Sequence, residues 1–158
     1  MIDAVALREV MQRYPTGVTV VATAGDDGAP CGLTVNSFTS VSLEPPLVLV
    51  CIDQASSSHD RLVEASSFAV SVLSRGQEQL ARRFAVEPSP SRFDRVEWVQ
   101  CPTGDPVLEG AAAWLACALH AVHAGGDHSI LVGRVEALGT GGPEALAFYR
   151  GRFWAVGP

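Results

Sequence analysis

The amino-acid sequence predicts a mainly-β domain whose antiparallel sheet closes, or nearly closes, into a barrel, with a few short helices at the connections. Three observations predict it. Apolar and β-branched runs recur along the chain, as in VTVVAT, LVLVCI and SILVGRV. Turn-sized connections separate most of them, so hairpin links dominate and neighbouring strands run antiparallel. No Gly-x-Gly-x-x-Gly follows a strand, which argues against a parallel dinucleotide-binding sheet. A length of 158 residues fits one domain over 1–158, and 47% apolar content suffices for a core.

Residues 3–13 carry Val5, Leu7, Val10 and Met11 at near-helical spacing and predict a helix, which Pro15 ends before Gly17. VTVVAT (18–23) is a strand. AGDDGAP (24–30) holds Asp-Asp-Gly, a hairpin turn, so CGLTVNSFTSVSL (31–43) is the returning strand and its extension, broken by EPP (44–46). LVLVCI (47–52) is a continuous apolar run and predicts a strand buried on both faces. DQASSSHDRLVEAS (53–66) supports a short helix capped by Ser57, Ser58 or Asp60. SFAVSVLS (67–74) is a strand and GQEQLARRFA (76–85) a helix. VEPSPSRFD (86–94) reads as a loop, mobile or folded over a site. VLEGAAAWLACALHAVHA (107–124) has the alanine content of a helix, but its place before the turn signal Gly-Gly-Asp makes it one long strand. HSILVGRVEAL (128–138) is the next strand, PEALAFYRG (143–151) a short helix or turn, and RFWAVG (152–157) a last strand. Six or seven strands result.

A formal net charge of -6 argues against a nucleic-acid surface, which needs a basic patch. No apolar run approaches the roughly 20 residues that span a bilayer. The first residues read as an amphipathic helix and not as a signal peptide, so the expected compartment is the cytoplasm. Cys31, Cys51, Cys101 and Cys117 form no Cys-x-x-Cys pair and are expected to be buried, reduced thiols. His59, His120, His123 and His128 lack metal-ligand spacing, and no metal is expected.

Three segments carry candidate chemistry. GLTVNSFTS (32–40) places Thr34, Asn36, Ser37, Thr39 and Ser40, and no charge, between two apolar runs. It is either a polar-out edge strand or a strand end lining a ligand site. In the second case its side chains and backbone would donate and accept in fixed directions around a neutral heteroaromatic ring. The serines 56–58 either cap a helix or hold a phosphate. GGDH (125–128) is either a plain glycine turn or the means of bringing His128 to a cleft. There is no Walker loop and no Gly-x-Ser-x-Gly elbow.

Seven blocks, in order, resemble the flavin reductase-like family, which includes the small NAD(P)H:flavin oxidoreductase components of two-component monooxygenases. They are YPTGVTVVAT, GAPCGLTVNSFTSVSLEPPLVLVCI, SSFAVSVL, QLARRFA, GDPVLEGAAAWLAC, GGDHSILVGRV and ALAFYRGRFW. The resemblance covers nearly the whole chain. It implies a split β-barrel of the FMN-binding type, Greek-key-like, forming a homodimer with FMN or FAD near the interface. NADH or NADPH would be the reductant, and a partner monooxygenase would receive the reduced flavin. It places flavin contacts on Thr34, Val35, Asn36 and Ser37, and on Cys51, Ile52 and Asp53. The phosphate side falls on Ser57 and Ser58 with His59 close by. Phe84 approaches the flavin, His128 contacts the nicotinamide cofactor, and Tyr149 lies by the same cleft.

The implied chemistry is direct hydride transfer between stacked rings, with no covalent catalytic residue. Two departures from the family pattern stand out. Leu33 replaces a common Met, a volume-conserving change. The basic residue common near the serine run has only His59 and Arg61 as nearest candidates. The loop EPSPSRFD (87–94) is where the choice between FMN and FAD is expected to vary. Two other readings keep the barrel: a non-catalytic flavin or haem carrier, and an enzyme holding flavin as a tight prosthetic group.

Overall fold

The computed structural model describes all 158 residues. Helix α1 (Ala4–Met11) opens the chain, with Asp3 accepting the Ala6 amide at 2.7 Å as its cap. The short strand β1 (Thr16–Gly17) and then β2 (Thr19–Thr23), β3 (Cys31–Val35), β4 (Thr39–Leu43) and β5 (Pro46–Asp53) follow. Next come α2 (His59–Glu64), β6 (Ser67–Val72) and α3 (Glu78–Val86). The remaining strands are β7 (Trp98–Gln100), β8 (Pro106–Leu108), β9 (Ala113–Gly125), β10 (His128–Thr140), β11 (Ala145–Tyr149) and β12 (Arg152–Val156).

Seven strands form the main sheet in the order β3-β2-β6-β9-β10-β5-β4, and every pairing is antiparallel. The two outermost strands, β3 and β4, are consecutive in the chain, with only Asn36, Ser37 and Phe38 between them. Six strand spacings in a flat sheet would separate them by roughly 29 Å. Four Cα steps span at most roughly 15 Å. The sheet must therefore curl until its edges meet. One core cluster accordingly gathers Val21 of β2, Leu33 of β3, Val50 of β5, Phe68 of β6, Cys117 of β9 and Leu131 of β10. No ladder joins β3 to β4, so the barrel is split along residues 36–38.

β2 and the middle of β6 are buried on both faces, and β5 is not. Val21 points into the barrel, while Val20 and Ala22 point outward beneath Ala81 and Phe84 of α3. β5 alternates instead: Val48, Val50 and Ile52 are buried, and Leu47, Leu49 and Cys51 are half-buried. This corrects the reading of LVLVCI, because an apolar run in a barrel wall needs only one face on the core.

Three further expectations change. Residues 143–151 form strand β11 and not a helix or turn. Pairing with β1 and β12 overrides the helix preference of its alanines, and the Phe148 and Phe153 rings pack 5.2 Å apart. Residues 107–124 divide between β8 and β9, with Gly110 turning between them at a φ of 76°. The strand count is twelve, because β1, β7 and β11 went unanticipated and the expected strands 31–43 and 107–124 each divide in two. The loop 86–94 is anchored: Arg92 and Phe93 are buried, and Phe93 meets Phe84 edge-on at 4.8 Å.

Candidate functional site

The site lies along the split. β3 is an edge strand, so its side away from β2 offers backbone groups with no ladder partner. The chain turns there instead of continuing as one strand, because Ser37 is held across the gap. Its Oγ donates to the Cys51 carbonyl at 3.0 Å and accepts from the Cys51 amide at 2.9 Å. One hydroxyl thus does what a ladder rung would do, and the barrel stays open on both sides of it.

Beside the split is an apolar slot of about 200 Å³, walled by Val18, Val35, Ala81, Ala85, Phe148 and Phe153, with Thr34 and Asn36 at its polar edge. Asn36 is exposed. The Thr34 hydroxyl is already committed, donating to the Ala81 carbonyl on α3 at 2.7 Å. Phe148 and Phe153 were absent from the sequence reading. For Phe148 the signal, alternation within AFY, was hidden by the assignment of a helix or turn, and Phe153, although in an expected strand, was not singled out.

A second group gathers where β5 ends beside the start of β10. His128 stands directly across from Asp53 in the ladder. The Asp53 carboxylate accepts the Ala55 amide at 2.8 Å, and the Gln54 amide donates to the Asp127 carbonyl at 3.0 Å. His128 Nδ1 and the Asp127 carboxylate are 2.7 Å apart, and this hydrogen bond, more than any other influence, holds Asp127 below the usual carboxylate range. His59 Nε2 meets the Ser129 hydroxyl at 2.8 Å. Asp53 and His128 therefore share one face of the ladder, with Cys51 two residues away on the same strand, while Ser129, the contact of His59, faces the other way with Ile52. Tyr149 sits at the β11–β12 turn, paired with Arg152, with its carbonyl accepting from Trp154 Nε1 at 3.3 Å.

The third part is the serine run. Ser57 is exposed and, with Ser89, lines a cavity of about 600 Å³ whose walls include Pro90, Phe93 and Trp98 and two charged residues, Arg61 and Asp94. Ser58 is wholly buried and its hydroxyl donates to the Gly32 carbonyl at 3.2 Å. Arg61 is not a free cation: one guanidinium nitrogen meets Asp27 Oδ1 at 2.6 Å and the Ala29 carbonyl at 2.7 Å, fastening the β2–β3 hairpin. The cation behind the serines is Arg92. It is 7% exposed and has no acidic partner. It donates to the Gly32 carbonyl at 2.8 Å, to Ser58 Oγ at 3.1 Å and to the Glu87 carbonyl at 2.7 Å. Burial lowers its pKa. Sequence reading missed Arg92 because it lies some thirty residues beyond the serines.

Three expected contacts move inside. Ile52 and Phe84 are fully buried in core clusters, and Ser58 is sealed beneath Arg92. They shape the walls of the site and offer no surface to a ligand, because inward-facing positions of a strand or helix go to the core before they go to a cleft. No group of three or more His, Cys, Asp or Glu side chains sits together in a way that could hold a metal ion.

A split barrel with a neutral polar seam, an apolar slot and a serine pocket backed by a buried cation defines a class of fold. It suits an uncharged ring carrying a phosphate-bearing arm. The chain belongs to the flavin reductase like domain family, whose model matches residues 11–157. It is 47% identical over 161 residues to the NADH-dependent FAD reductase of Streptomyces globisporus, covering 99% of this chain and 87% of that protein. It is 39% identical over 158 residues to the reductase subunit HsaB of a flavin-dependent monooxygenase of Rhodococcus jostii strain RHA1, covering 99% and 80%. Among solved structures it is similar to the NADH:FAD oxidoreductase of Streptomyces globisporus C-1027 in complex with NAD and FAD fragments. That match has a TM-score of 0.91 and 47% identity, with 99% and 94% coverage. Relatives differ in length: the chain spans 66% of one that is 41% identical and 47% of another.

Proposed function

We propose that residues 1–158 form a single NAD(P)H:flavin oxidoreductase domain that transfers a hydride from the nicotinamide to FMN or FAD and supplies reduced flavin to a separate monooxygenase. The observation that carries this reading is the 47% identity, over nearly the whole chain, to an NADH-dependent FAD reductase. The geometry fits. Slot and serine pocket lie at opposite ends of β3, between Asn36 and Gly32, and four residues of strand span about 13 Å. This span accommodates a ring at the slot and a phosphate at the far end.

A bound flavin would supply the hydride-accepting chemistry at its ring nitrogen. Asn36, with the free backbone edge of β3, orients the ring. Val18, Val35, Phe148 and Phe153 exclude water from its buried edge. Cys51 and Asp53 line the arm, while Ser57 and Ser89 receive the phosphate, with the buried charge of Arg92 behind them and His59 nearby. His128, its Nδ1 held by Asp127, presents Nε2 to the reductant, and Tyr149 flanks it. No residue acts covalently.

The enzyme is a homodimer in this reading. Pockets for drug-sized ligands run to about 300–1,000 Å³, so a slot of about 200 Å³ is incomplete in one protomer. α1 also has no buried residue, leaving Val5, Leu7, Val10 and Met11 uncovered.

The test is NAD(P)H oxidation by purified protein, with and without added FMN, FAD or riboflavin. Oxidation that depends on added flavin is expected, and the preferred pair identifies both substrates. Bound flavin with no oxidation by any pair would overturn the reductase reading and leave a carrier.

A further inference from the structure

A polar atom shielded from water nearly always finds a partner in a folded chain, because without one it has lost its bond to water and gained nothing. Two buried side-chain atoms have no hydrogen-bond partner here, Thr16 Oγ1 and Arg83 Nε. Arg83 is compensated in other ways: Nε lies 3.3 Å from Glu87 Oε2, and Nη2 donates to the Ser91 carbonyl at 2.7 Å. Thr16 has no such compensation. Its hydroxyl meets no carbonyl and no polar side chain, although valine would supply the same branched shape with no polar atom to bury.

The place of Thr16 in the fold gives this hydroxyl a use. β1, β11 and β12 form a three-stranded sheet, and Thr16, Phe148 and Phe153 stand in one rung across it. Directly opposed residues of an antiparallel pair point to the same face, with their Cβ atoms roughly 5 Å apart. Phe148 and Phe153 wall the slot, so Thr16 stands on the slot's side of the sheet. Val18, two residues further along the chain, is itself a slot wall, and two residues of extended chain reach roughly 7 Å. Thr16 is half-buried: water reaches part of the residue but not its hydroxyl. Oxygen and methyl share Cβ, so one staggered step about the Cα–Cβ bond exchanges them. The hydroxyl of Thr34, at the slot's polar edge, is already bonded to the Ala81 carbonyl at 2.7 Å.

We propose that Thr16 is a binding residue of the flavin ring: with the ring seated in the slot, the hydroxyl turns toward it and hydrogen-bonds a polar atom at the ring's edge. This role rests on the reading of the slot as the ring's seat. It gives the ring a polar contact from the β1-β11-β12 sheet in addition to Asn36 at the split. A neutral hydroxyl, able both to donate and to accept, suits an uncharged ring. The same group is a cost to the protein alone and is satisfied only when the ring is bound.

The probe is lumiflavin, the flavin ring without its ribityl and phosphate arm, titrated by fluorescence against wild type, Thr16→Val and Thr16→Ser. Urea unfolding of the same proteins without flavin is followed in parallel. Thr16→Val is expected to bind lumiflavin about five- to tenfold more weakly. Its urea midpoint without flavin should be unchanged or raised, because the substitution removes an unpaired buried group. Thr16→Ser keeps the hydroxyl and should bind within about twofold of wild type. The loss on Thr16→Val should be the same with riboflavin and FMN; a loss confined to FMN would put the contact on the arm and overturn the assignment to the ring. Lumiflavin binding by Thr16→Val as tight as by wild type would also overturn it. So would a lowered urea midpoint of the flavin-free variant, which would show that the hydroxyl serves the fold. Each of these results leaves the reductase reading standing. Wild type that binds none of the flavins would bring down that reading and the role of Thr16 together.

Discussion

Ser37 shows how far a residue's chemistry can be read before its partners are known. Its place in a neutral, polar segment marked it as a hydrogen-bonding group at a functional strand end, and the split passes through it. Yet its hydroxyl is occupied in both directions by Cys51, so it builds the site instead of touching what binds there. Arg92 is the converse case. In the sequence it is one arginine in a Pro- and Ser-rich loop, and only burial without an acid partner gives it a role. Arg92→Gln is expected to weaken FMN binding about tenfold or more while leaving riboflavin binding unchanged, as read by flavin fluorescence titration. Arg92→Lys, which retains the charge, should recover part of the loss. Equal weakening of both flavins would show that Arg92 merely supports the fold. Cys117 makes a third residue-scale case. Burial, above all, pushes its thiol up to about 12, from an ordinary value of 9.0. The raised value means its stabilising contribution is complete below pH 9 and lost as pH rises toward 12. Melting curves of Cys117→Ala should accordingly fall less than wild type over that interval, and identical slopes would refute the assignment.

At the scale of elements, the strands with strong alternation or β-branching were legible and those with ambiguous composition were not. β2, β6 and β10 stand where their patterns put them. β11 did not, because Ala145 and Ala147 favour a helix and only pairing on both sides makes the segment a strand. β3 and β4 were read as one strand since nothing local distinguishes Asn36, Ser37 and Phe38 from their neighbours. The close contact of β10 with β6 and β9 gives a test at this scale. A Cβ on Gly133 would lie 2.5 Å from Phe68 Cζ and 2.8 Å from Cys117 Cβ, both in the core. Gly133→Ala should destabilise the barrel by about 1–3 kcal/mol. The measurement is the denaturant midpoint at unchanged slope, and an unshifted midpoint would mean that the wall yields more readily than its packing implies.

For the molecule as a whole, the exposed α1 is the feature one protomer leaves unexplained. Its apolar residues are uncovered, although Asp3 caps it as a formed helix. Val10→Glu, at a position 65% exposed in the protomer, should leave the protomer's own fold intact and dissociate the proposed dimer. Light scattering should then report one chain instead of two, with weaker flavin binding in parallel. A wild-type protein that scatters as a single chain at micromolar concentration would refute the dimer. The sequence by itself determined the mainly-β class and the run of most strands, and it singled out three candidate segments for a site, since these rest on local alternation, turn chemistry and the order of blocks in the chain. Tertiary structure alone decided that β3 and β4 close on each other and leave the barrel split between them. It also decided that Phe84, Ile52 and Ser58 turn inward and that Arg92 lies buried behind the serines. The physical reason is that each of these depends on groups far apart in the chain competing for the same buried space or the same hydrogen-bond partner, and that competition takes place only after the sheet has curled.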